Sequence, residues 1–427
     1  MAYINTRIIL FFSMLFFISC SNSDSPVAPV DPVVPQPNRA VNLTHFNNLY
    51  KEIDFKGKKA GFIYIYSNYP TYEPVTSIEE SGITCVDDVA RAIIVLSEYI
   101  KVYGSDADSL DKIKKYTEFI LAMQNENGYF NNFIYADYSI NTTYVTSVAN
   151  LNWWSLRALV GLETAYPLLK SDADITNRIS QSVTKLSSNI KRDLPMTSLT
   201  TETVNGIEMP TWLPLKYASD QSALLIIGLL KNYERTSNSG DLTMIDALAK
   251  GIMIMQKGDA THYPYNAFMS YNNQWHAYGN DQSNALLKAG VALNKQEYID
   301  SALKEVDNFY PKLVQSGYAE EYFIQANGDN FSEISRKKYA QIAYGIRPMV
   351  SATAEAYRYS KNSSHLILAK NIAAWLSGSN DAGQPMYIHE TGICFDGIVN
   401  AGQVNKNSGA ESTIEALLIL LEMEKLK

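Results

Sequence analysis

One helical pattern returns six times along the chain and constrains its fold more than any other feature. Each copy is an apolar helix with a polar or small residue at its head, and successive copies are 61 to 68 residues apart. Tetratricopeptide units of ~34 residues and armadillo-type units of ~45 residues are too short for this spacing. The heads of the six copies are Asp88, Asn152, Asp220, Asp281, Gly345 and Glu411.

A second amphipathic stretch lies between successive copies, so each repeat is predicted to be a helical hairpin. These stretches cover residues 110–123, 175–190, 242–255, 297–313 and 366–376. The repeated helices carry few charges after their first turn, which indicates burial on most sides, whereas the intervening helices are predicted to be half solvated. An inner ring of helices wrapped by an outer ring satisfies both patterns. The inner helices would then begin on one common face, the mouth of the ring.

This arrangement resembles the six-hairpin glycosidase superfamily, whose (α/α)6 toroids include many glycoside hydrolases and some polysaccharide lyases. The resemblance covers about residues 60 to 427 and rests on the repeat architecture. It implies an all-α toroid of six helical hairpins with short β segments in the connecting loops. It also implies carbohydrate chemistry in a hollow at the mouth.

The N-terminal 39 residues are predicted to be a processing signal and a tether. An apolar run over 8–18 is too short to span a bilayer, and it ends in Phe17-Ile18-Ser19-Cys20, which is similar to a bacterial lipobox. We predict a lipoprotein signal peptide over 1–19, lipidation of Cys20, a proline-rich tether over 20–39 and one toroid catalytic domain over 40–427. The expected location is the outer membrane, facing the periplasm or the cell surface.

Composition limits the classes of partner. The net charge of −8 argues against nucleic acid or an anionic membrane surface, so membrane contact is expected only through the lipid anchor. The 29 tyrosines and 5 tryptophans suit a cleft that stacks sugar faces. No HExxH motif or paired histidine spacing occurs among the 5 histidines, so neither a metal nor a cofactor is predicted. We expect a monomer that binds a carbohydrate.

Acidic residues at the heads of the inner helices are the candidates for catalysis. Aspartate is also a favoured N-cap, so capping alone is the competing explanation at each position. Glycoside hydrolysis usually uses two carboxyl groups, and inverting enzymes hold them ~6.5 to 9.5 Å apart. The preferred pair is Asp88 with Glu411, because their hairpins adjoin when the ring closes, and Asp220 is the reserve.

Further residues near the mouth are predicted to contact substrate. The tripeptide that begins at Asp220 recurs at Asp281, and a tryptophan precedes each copy. An aromatic ring followed by an acid suits a sugar subsite. The predicted substrate-binding residues are Asp87, Trp154, Trp212, Trp275, His276, Asp281, Arg347, His389 and Glu390.

Two other functions remain open from the sequence. A polysaccharide lyase would place a tyrosine or histidine base beside an arginine that neutralises a uronate carboxylate. Arg91, Arg157 and Arg347 are the arginines of the six repeated segments, although such residues more often tie one helix to the next by a salt bridge. A non-catalytic glycan-binding lipoprotein would keep the aromatic residues, with carboxylates that only cap helices.

Cys85 and Cys394 precede the first and last inner helices, which become neighbours if the ring closes. We predict that they are close enough for a disulfide across the seam, as an oxidising compartment would permit. Two separately buried thiols are the alternative.

Overall fold

The structure is a computed structural model that describes residues 39–427, of which 40–427 form one compact unit. The predicted signal peptide, the lipidation of Cys20 and nearly all of the tether lie outside the described residues. None of the helices in the described range has the length and hydrophobicity needed to cross a bilayer.

The helices of residues 39–427 are mostly of three to five turns. They are α1 Thr44–Asn48, α2 Val86–Tyr103, α3 Ala107–Ala122, α4 Trp153–Ala165, α5 Ala173–Asp193, α6 Ser219–Thr236, α7 Ser239–Ile254, α8 Gln282–Leu293, α9 Gln296–Asn308, α10 Tyr310–Ser316, α11 Ala343–Ser360, α12 Ser363–Ala373 and α13 Ala410–Glu424, with 3-10 turns at Tyr166–Leu169 and Ala374–Ser377.

Six of these helices close into a ring. Helices α2, α4, α6, α8, α11 and α13 each pack against the next, and α13 packs against α2. Helices α3, α5, α7, α9 and α12 stand outside, where α3 packs against both α2 and α4, and α7 against both α6 and α8. The inner helices are the six repeated segments of the sequence. This arrangement confirms the predicted (α/α)6 toroid.

The seam between α13 and α2 is covered by residues from the N-terminal part of the unit. Helix α1 packs against α13, and the hairpin formed by β1 (Tyr50–Phe55) and β2 (Lys58–Ile63) packs against α2 and α3. Phe46, Phe62 and Ile63 are fully buried there. These residues take the outer position that a second helix takes in the other hairpins.

Short antiparallel strands connect the helices, as predicted. The pairs are β3 Ser67–Asn68 with β4 Glu73–Pro74, β5 Thr84–Cys85 with β6 Phe133–Ile134, β7 Thr201–Val204 with β8 Ile207–Pro210, β9 Gln256–Lys257 with β10 Ala267–Phe268, β14 Tyr387–Ile388 with β15 Ile393–Cys394, and β16 Gly397–Asn400 with β17 Gln403–Asn405. A three-stranded sheet joins β11 Gln274–His276, β12 Glu321–Asn327 and β13 Asn330–Lys337.

The predicted disulfide is not present, because Cys85 and Cys394 are two free, buried thiols. Cys85 is the N-cap of α2, and its sulfur accepts a hydrogen bond from the Asp88 backbone N–H. The backbone of Ile65 runs between the two sides of the seam: its N–H donates to the Ile83 carbonyl, and its carbonyl accepts from the Ala410 N–H. The segment at Ile65 is thus hydrogen-bonded to both sides of the seam, and neither cysteine is in a disulfide.

Candidate active site

A single guanidinium group gathers four carboxyl groups where α2 meets α13. Nη2 of Arg91 lies 2.6 Å from Asp88 Oδ1 and 3.2 Å from Glu411 Oε2. Its Nε lies 2.9 Å from Asp87 Oδ1, and its Nη1 lies 2.9 Å from Glu415 Oε1. Asp87, Asp88 and Arg91 share one helical face because residues three and four positions apart are neighbours on a helix. Ring closure brings the two glutamates to them.

A second arginine extends this cluster toward α8. Arg347 on α11 donates to both carboxylate oxygens of Asp281 at 2.7 and 2.9 Å, and its Nε donates to Glu415 Oε2 at 2.7 Å. Glu415 on α13 is fully buried, and its contacts with Arg91 and Arg347 join α13 to α2 and α11. These contacts fit the alternative considered for arginines of the inner helices, a salt bridge from one helix to the next, whereas contact of Arg347 with substrate stays a prediction.

A third arginine and a tyrosine complete the cluster. Arg157 on α4 has its Nε 3.4 Å from Asp87 Oδ1, and its Nη2 donates to the Tyr344 hydroxyl at 2.5 Å. The Tyr344 ring lies 4.9 to 5.9 Å from the guanidinium carbons of Arg91, Arg157 and Arg347, within range of cation–π attraction. Burial raises the pKa of the Tyr344 hydroxyl, which stays protonated.

In this cluster three guanidinium groups face five carboxyl groups, so the carboxyl groups outnumber their counter-charges. Glu411 is the most open of the five: 43% of its side chain is exposed, against 18% for Asp87 and 4% for Asp88. The pKa of Glu411 is raised to about 7, first by burial and then by the charges of Asp88, Glu415 and Asp87, although Arg91 opposes the shift. A group that is surrounded by protein and yet exposed lines a concave surface.

Two tyrosines show the same combination of exposure and raised pKa. Tyr66 has 44% of its surface exposed, yet the protein around its hydroxyl group and the charges of Asp88 and Glu411 raise its pKa to about 12. Tyr278 is also exposed, and its pKa is raised by burial and then by Asp220 and by Glu411 among other acids. The charge of Glu411 acts on both tyrosines, so we assign the three partly open side chains to one hollow at the mouth. We call this hollow the mouth site.

Asp220 lies on α6, which stands opposite α13 in the ring, and forms a dyad with a histidine. Asp220 Oδ2 lies 3.0 Å from His276 Nε2, and the other ring nitrogen, Nδ1, lies 2.8 Å from the Tyr278 carbonyl oxygen. A carbonyl oxygen can only accept a hydrogen bond, so Nδ1 donates to it and Nε2 faces the carboxylate. Tyr278 stacks on the imidazole at 3.8 Å. Both members of the dyad are buried.

The three tryptophans predicted to contact substrate are buried, with 0 to 3% of their surface exposed. Trp154 and Trp275 are core residues, and Trp212 Nε1 donates to the Ala247 carbonyl. Trp275 stacks on Tyr322 at 5.1 Å. The prediction is wrong for these three because an aromatic residue beside an acid in sequence points elsewhere once the helix or strand direction is fixed.

Trp153, one position earlier, is the partly exposed tryptophan of this region and was missed. Its ring packs against Gly279, where a β-carbon would lie 2.8 Å from the indole, and Arg157 lies 5.9 Å from its ring. Gly279 has a φ of +62°, a left-handed conformation that glycine adopts at little cost. The sequence did contain a signal for Trp153. It stands directly after the N-cap Asn152 at the start of α4, and the starts of the inner helices were predicted to share the mouth.

His389 and Glu390 lie at the turn between β14 and β15, not among the groups around Arg91. Their backbone carbonyls accept hydrogen bonds from the side-chain amide of Asn42 at 2.9 and 3.1 Å. The N-terminal segment thus holds this turn at the seam. Among residues 39–427, no group of three histidine, cysteine, aspartate or glutamate side chains has the arrangement to hold a metal ion.

No protein-family model matches the chain, and no curated protein matches it. Several solved structures are similar in fold. A sugar epimerase from a ruminal bacterium is 15% identical with a TM-score of 0.62, covering 91% of this chain and 96% of that one. A family 76 glycoside hydrolase from a bovine Bacteroides thetaiotaomicron strain is 12% identical with a TM-score of 0.55, covering 90% and 76%. A polysaccharide lyase is 13% identical with a TM-score of 0.53, covering 80% and 90%. At these identities the likeness establishes the fold.

Proposed function

We propose that this protein is a carbohydrate-active enzyme, a glycoside hydrolase in which Glu411 is the general acid. The observation that carries the proposal is the Glu411 carboxyl group, which lines the mouth site with a pKa of about 7. A carboxylic acid that keeps its proton near neutral pH can donate it to a leaving glycosidic oxygen. The structures of similar fold include a sugar epimerase, a glycoside hydrolase and a polysaccharide lyase, which supports a carbohydrate substrate.

The second carboxyl group is better supplied by Asp87 than by Asp88. Asp88 Oδ1 and Glu411 Oε2 contact the same nitrogen of Arg91 at 2.6 and 3.2 Å, so they are closer than the ~6.5 to 9.5 Å gap of inverting glycosidases. Asp88 is also almost fully buried, and its role is to position Arg91. Asp87 contacts a different nitrogen of Arg91 and keeps an open face, so we assign it the activation of water. Asp220 is bound to His276 and buried.

The charges of the mouth site favour a neutral glycan. Each of the three guanidinium groups lies within 3.4 Å of at least one carboxylate and the carboxyl groups outnumber them, so the site offers little free positive charge to a uronate carboxylate. The Tyr344 hydroxyl also keeps its proton, which makes it a poor base for a lyase reaction. Both features support hydrolysis over a lyase reaction.

Epimerisation of a sugar is the second candidate, and the dyad of His276 and Asp220 favours it. This dyad holds an imidazole against a carboxylate, a pair of groups that can serve abstraction and return of a sugar proton. The Tyr278 ring covers the imidazole, so this function needs the tyrosine side chain to move.

The predicted lipid tether makes an outer-membrane lipoprotein our proposal for location.

The hydrolase proposal predicts that Glu411→Gln loses activity. With neutral oligosaccharides as substrates, we expect kcat to fall by ~10² to 10⁴-fold, the usual contribution of a general acid. In the unsubstituted enzyme, kcat/KM should fall as pH rises through about 7, because Glu411 then loses the proton that it donates. Release of reducing ends measures both effects.

Glu424→Gln, on the same helix, is the matched control and should keep full activity. Retained activity in Glu411→Gln would remove this residue from the mechanism. Interconversion of sugar epimers without new reducing ends would replace the hydrolase by the epimerase. An unsaturated product would indicate a lyase.

A further inference from the structure

A second cavity lies on the outer wall of the toroid, outside the ring of inner helices. It has a volume of about 430 Å³ and opens between the β1–β2 hairpin, α3 and α5. Small-molecule sites occupy clefts of ~300 to 1,000 Å³. We call it the outer groove. It contains none of the residues of the mouth site.

Four of the five charged residues that line the outer groove are basic, although the whole chain has a net charge of −8. Lys56 and Lys58 come from the hairpin, Arg178 and Lys185 from α5, and Glu118 from α3 is the acidic residue among them. Glu118 does not neutralise the lysines, because both of its oxygens accept hydrogen bonds from Arg178. Asp174, just outside the groove, also contacts Arg178 at 3.1 Å.

The three lysines are left with little counter-charge. Lys58 lies 3.6 Å from Asp174, and both side chains are more than half exposed, so this pair is weak. Lys56 donates to the Ala122 carbonyl, at the end of α3, at 2.7 Å. Lys185 has no carboxylate partner in residues 39–427. Ammonium groups gathered around one cavity repel each other, and an anion between them relieves that repulsion.

The remaining lining adds polar and apolar surface suited to a small organic ligand. The Gln181 side chain is exposed, so its amide can donate and accept hydrogen bonds. Phe55 and Leu121 give an apolar wall. We propose that the outer groove binds a small ligand that carries carboxylate, sulfate or phosphate groups, with Lys56, Lys58 and Lys185 as its cationic contacts.

Calorimetric titration of the full chain tests this inference with three probes: an oligogalacturonate, inorganic phosphate, and a neutral oligosaccharide of matched length. We expect binding of at least one anionic probe, weakening as salt is added because the contacts are exposed charges. The double variant Lys58→Glu with Lys185→Glu should weaken that binding by about tenfold or more, since two attractions become repulsions. Oligogalacturonate binding without phosphate binding would identify an acidic glycan as the ligand, and phosphate binding would identify a phosphate group.

The matched control is Lys295→Glu with Lys304→Glu on the α8–α9 side of the toroid. Lys295 lies 3.6 Å from Glu297, as Lys58 does from Asp174, and Lys304 is exposed. This control should bind the anionic probe as the unsubstituted protein does, and so should Glu411→Gln, because the outer groove is separate from the mouth site. The inference is overturned if neither anionic probe binds, if the neutral probe binds equally well, or if both double variants lose binding equally.

Discussion

Two glutamates of this chain have a pKa raised to about 7, and their surroundings give the shift different meanings. Glu411 lines the mouth site beside Arg91. Glu305 is fully buried and accepts hydrogen bonds from the Phe268 N–H at 2.8 Å and from the hydroxyl groups of Ser283 and Tyr310 at 2.6 and 3.0 Å. Burial raises its pKa, and these hydrogen bonds oppose the shift. A raised pKa therefore indicates a catalytic acid only where the group also opens onto a cavity.

Glu305 should make the stability of the fold depend on pH. Its pKa rises from 4.5 in the unfolded chain to about 7 in the folded protein, so the folded state binds the proton more tightly. The free energy of unfolding should fall as pH rises from 4.5 to 7, by an amount of the order of 3 kcal/mol, and this contribution is constant above pH 7. Glu305→Gln should remove the Glu305 share of this dependence and leave the share of Glu411, whose pKa is also about 7, as urea unfolding at about pH 5 and about pH 8 would measure.

The matched control for Glu305 is Glu297→Gln, an exposed position on the same helix. It should keep the pH dependence of the unsubstituted protein. An equal slope in Glu305→Gln and in the unsubstituted protein would show that another group is responsible.

At the scale of the elements, helix bounds followed from sequence where apolar periodicity was uninterrupted. The stretches predicted over 110–123 and 242–255 correspond to α3, Ala107–Ala122, and α7, Ser239–Ile254. The stretch predicted over 297–313 is two helices, because Pro311 lacks the N–H that would continue the first one. The spacing of apolar residues alone does not predict where one helix ends and the next begins within such a stretch.

Close packing between inner helices depends on glycines at the contacts. A β-carbon on Gly161 of α4 would lie 2.9 Å from the β-carbon and 3.0 Å from the α-carbon of Ala90 on α2. We predict that Gly161→Ala destabilises the fold, because overpacking costs ~1 to 3 kcal/mol and exceeds the gain of ~1 kcal/mol in helix propensity. A lower urea midpoint at constant m value measures the loss.

The second substitution Ala90→Gly should recover part of that loss, since it removes one of the two clashing carbons. The double-mutant cycle isolates this contact from other effects of each change. If Gly161→Ala proves as stable as the unsubstituted protein, the inner helices have room to separate and the packing argument fails.

At the scale of the whole molecule, one buried carboxylate ties the first and last inner helices of the ring. Glu415 accepts from Arg91 Nη1 at 2.9 Å and from Arg347 Nε at 2.7 Å. We predict that Glu415→Gln lowers the free energy of unfolding by about 3 kcal/mol or more, because two buried guanidinium groups lose a counter-charge. Chemical denaturation measures the change, and proteolysis of α13 should become faster.

Glu422→Gln on the same helix is the matched control. Its partners, Arg358 and Lys425, are about one-third exposed, so we expect a loss of about 1 kcal/mol or less. Equal losses at the two positions would contradict the view that the buried pair closes the ring.

The sequence by itself determined the toroid and the common face where the acids lie, because apolar periodicity and helix caps are properties of short segments. Only the tertiary structure decided which acid is open and which is buried. Glu411 and Glu415 are one helical turn apart, yet ring closure exposes the first and buries the second against Arg91, 324 residues away in the chain. The same closure placed Trp153 against Gly279 and left Cys85 and Cys394 as two free thiols. These outcomes depend on contacts between distant segments, which spacing along the chain does not encode.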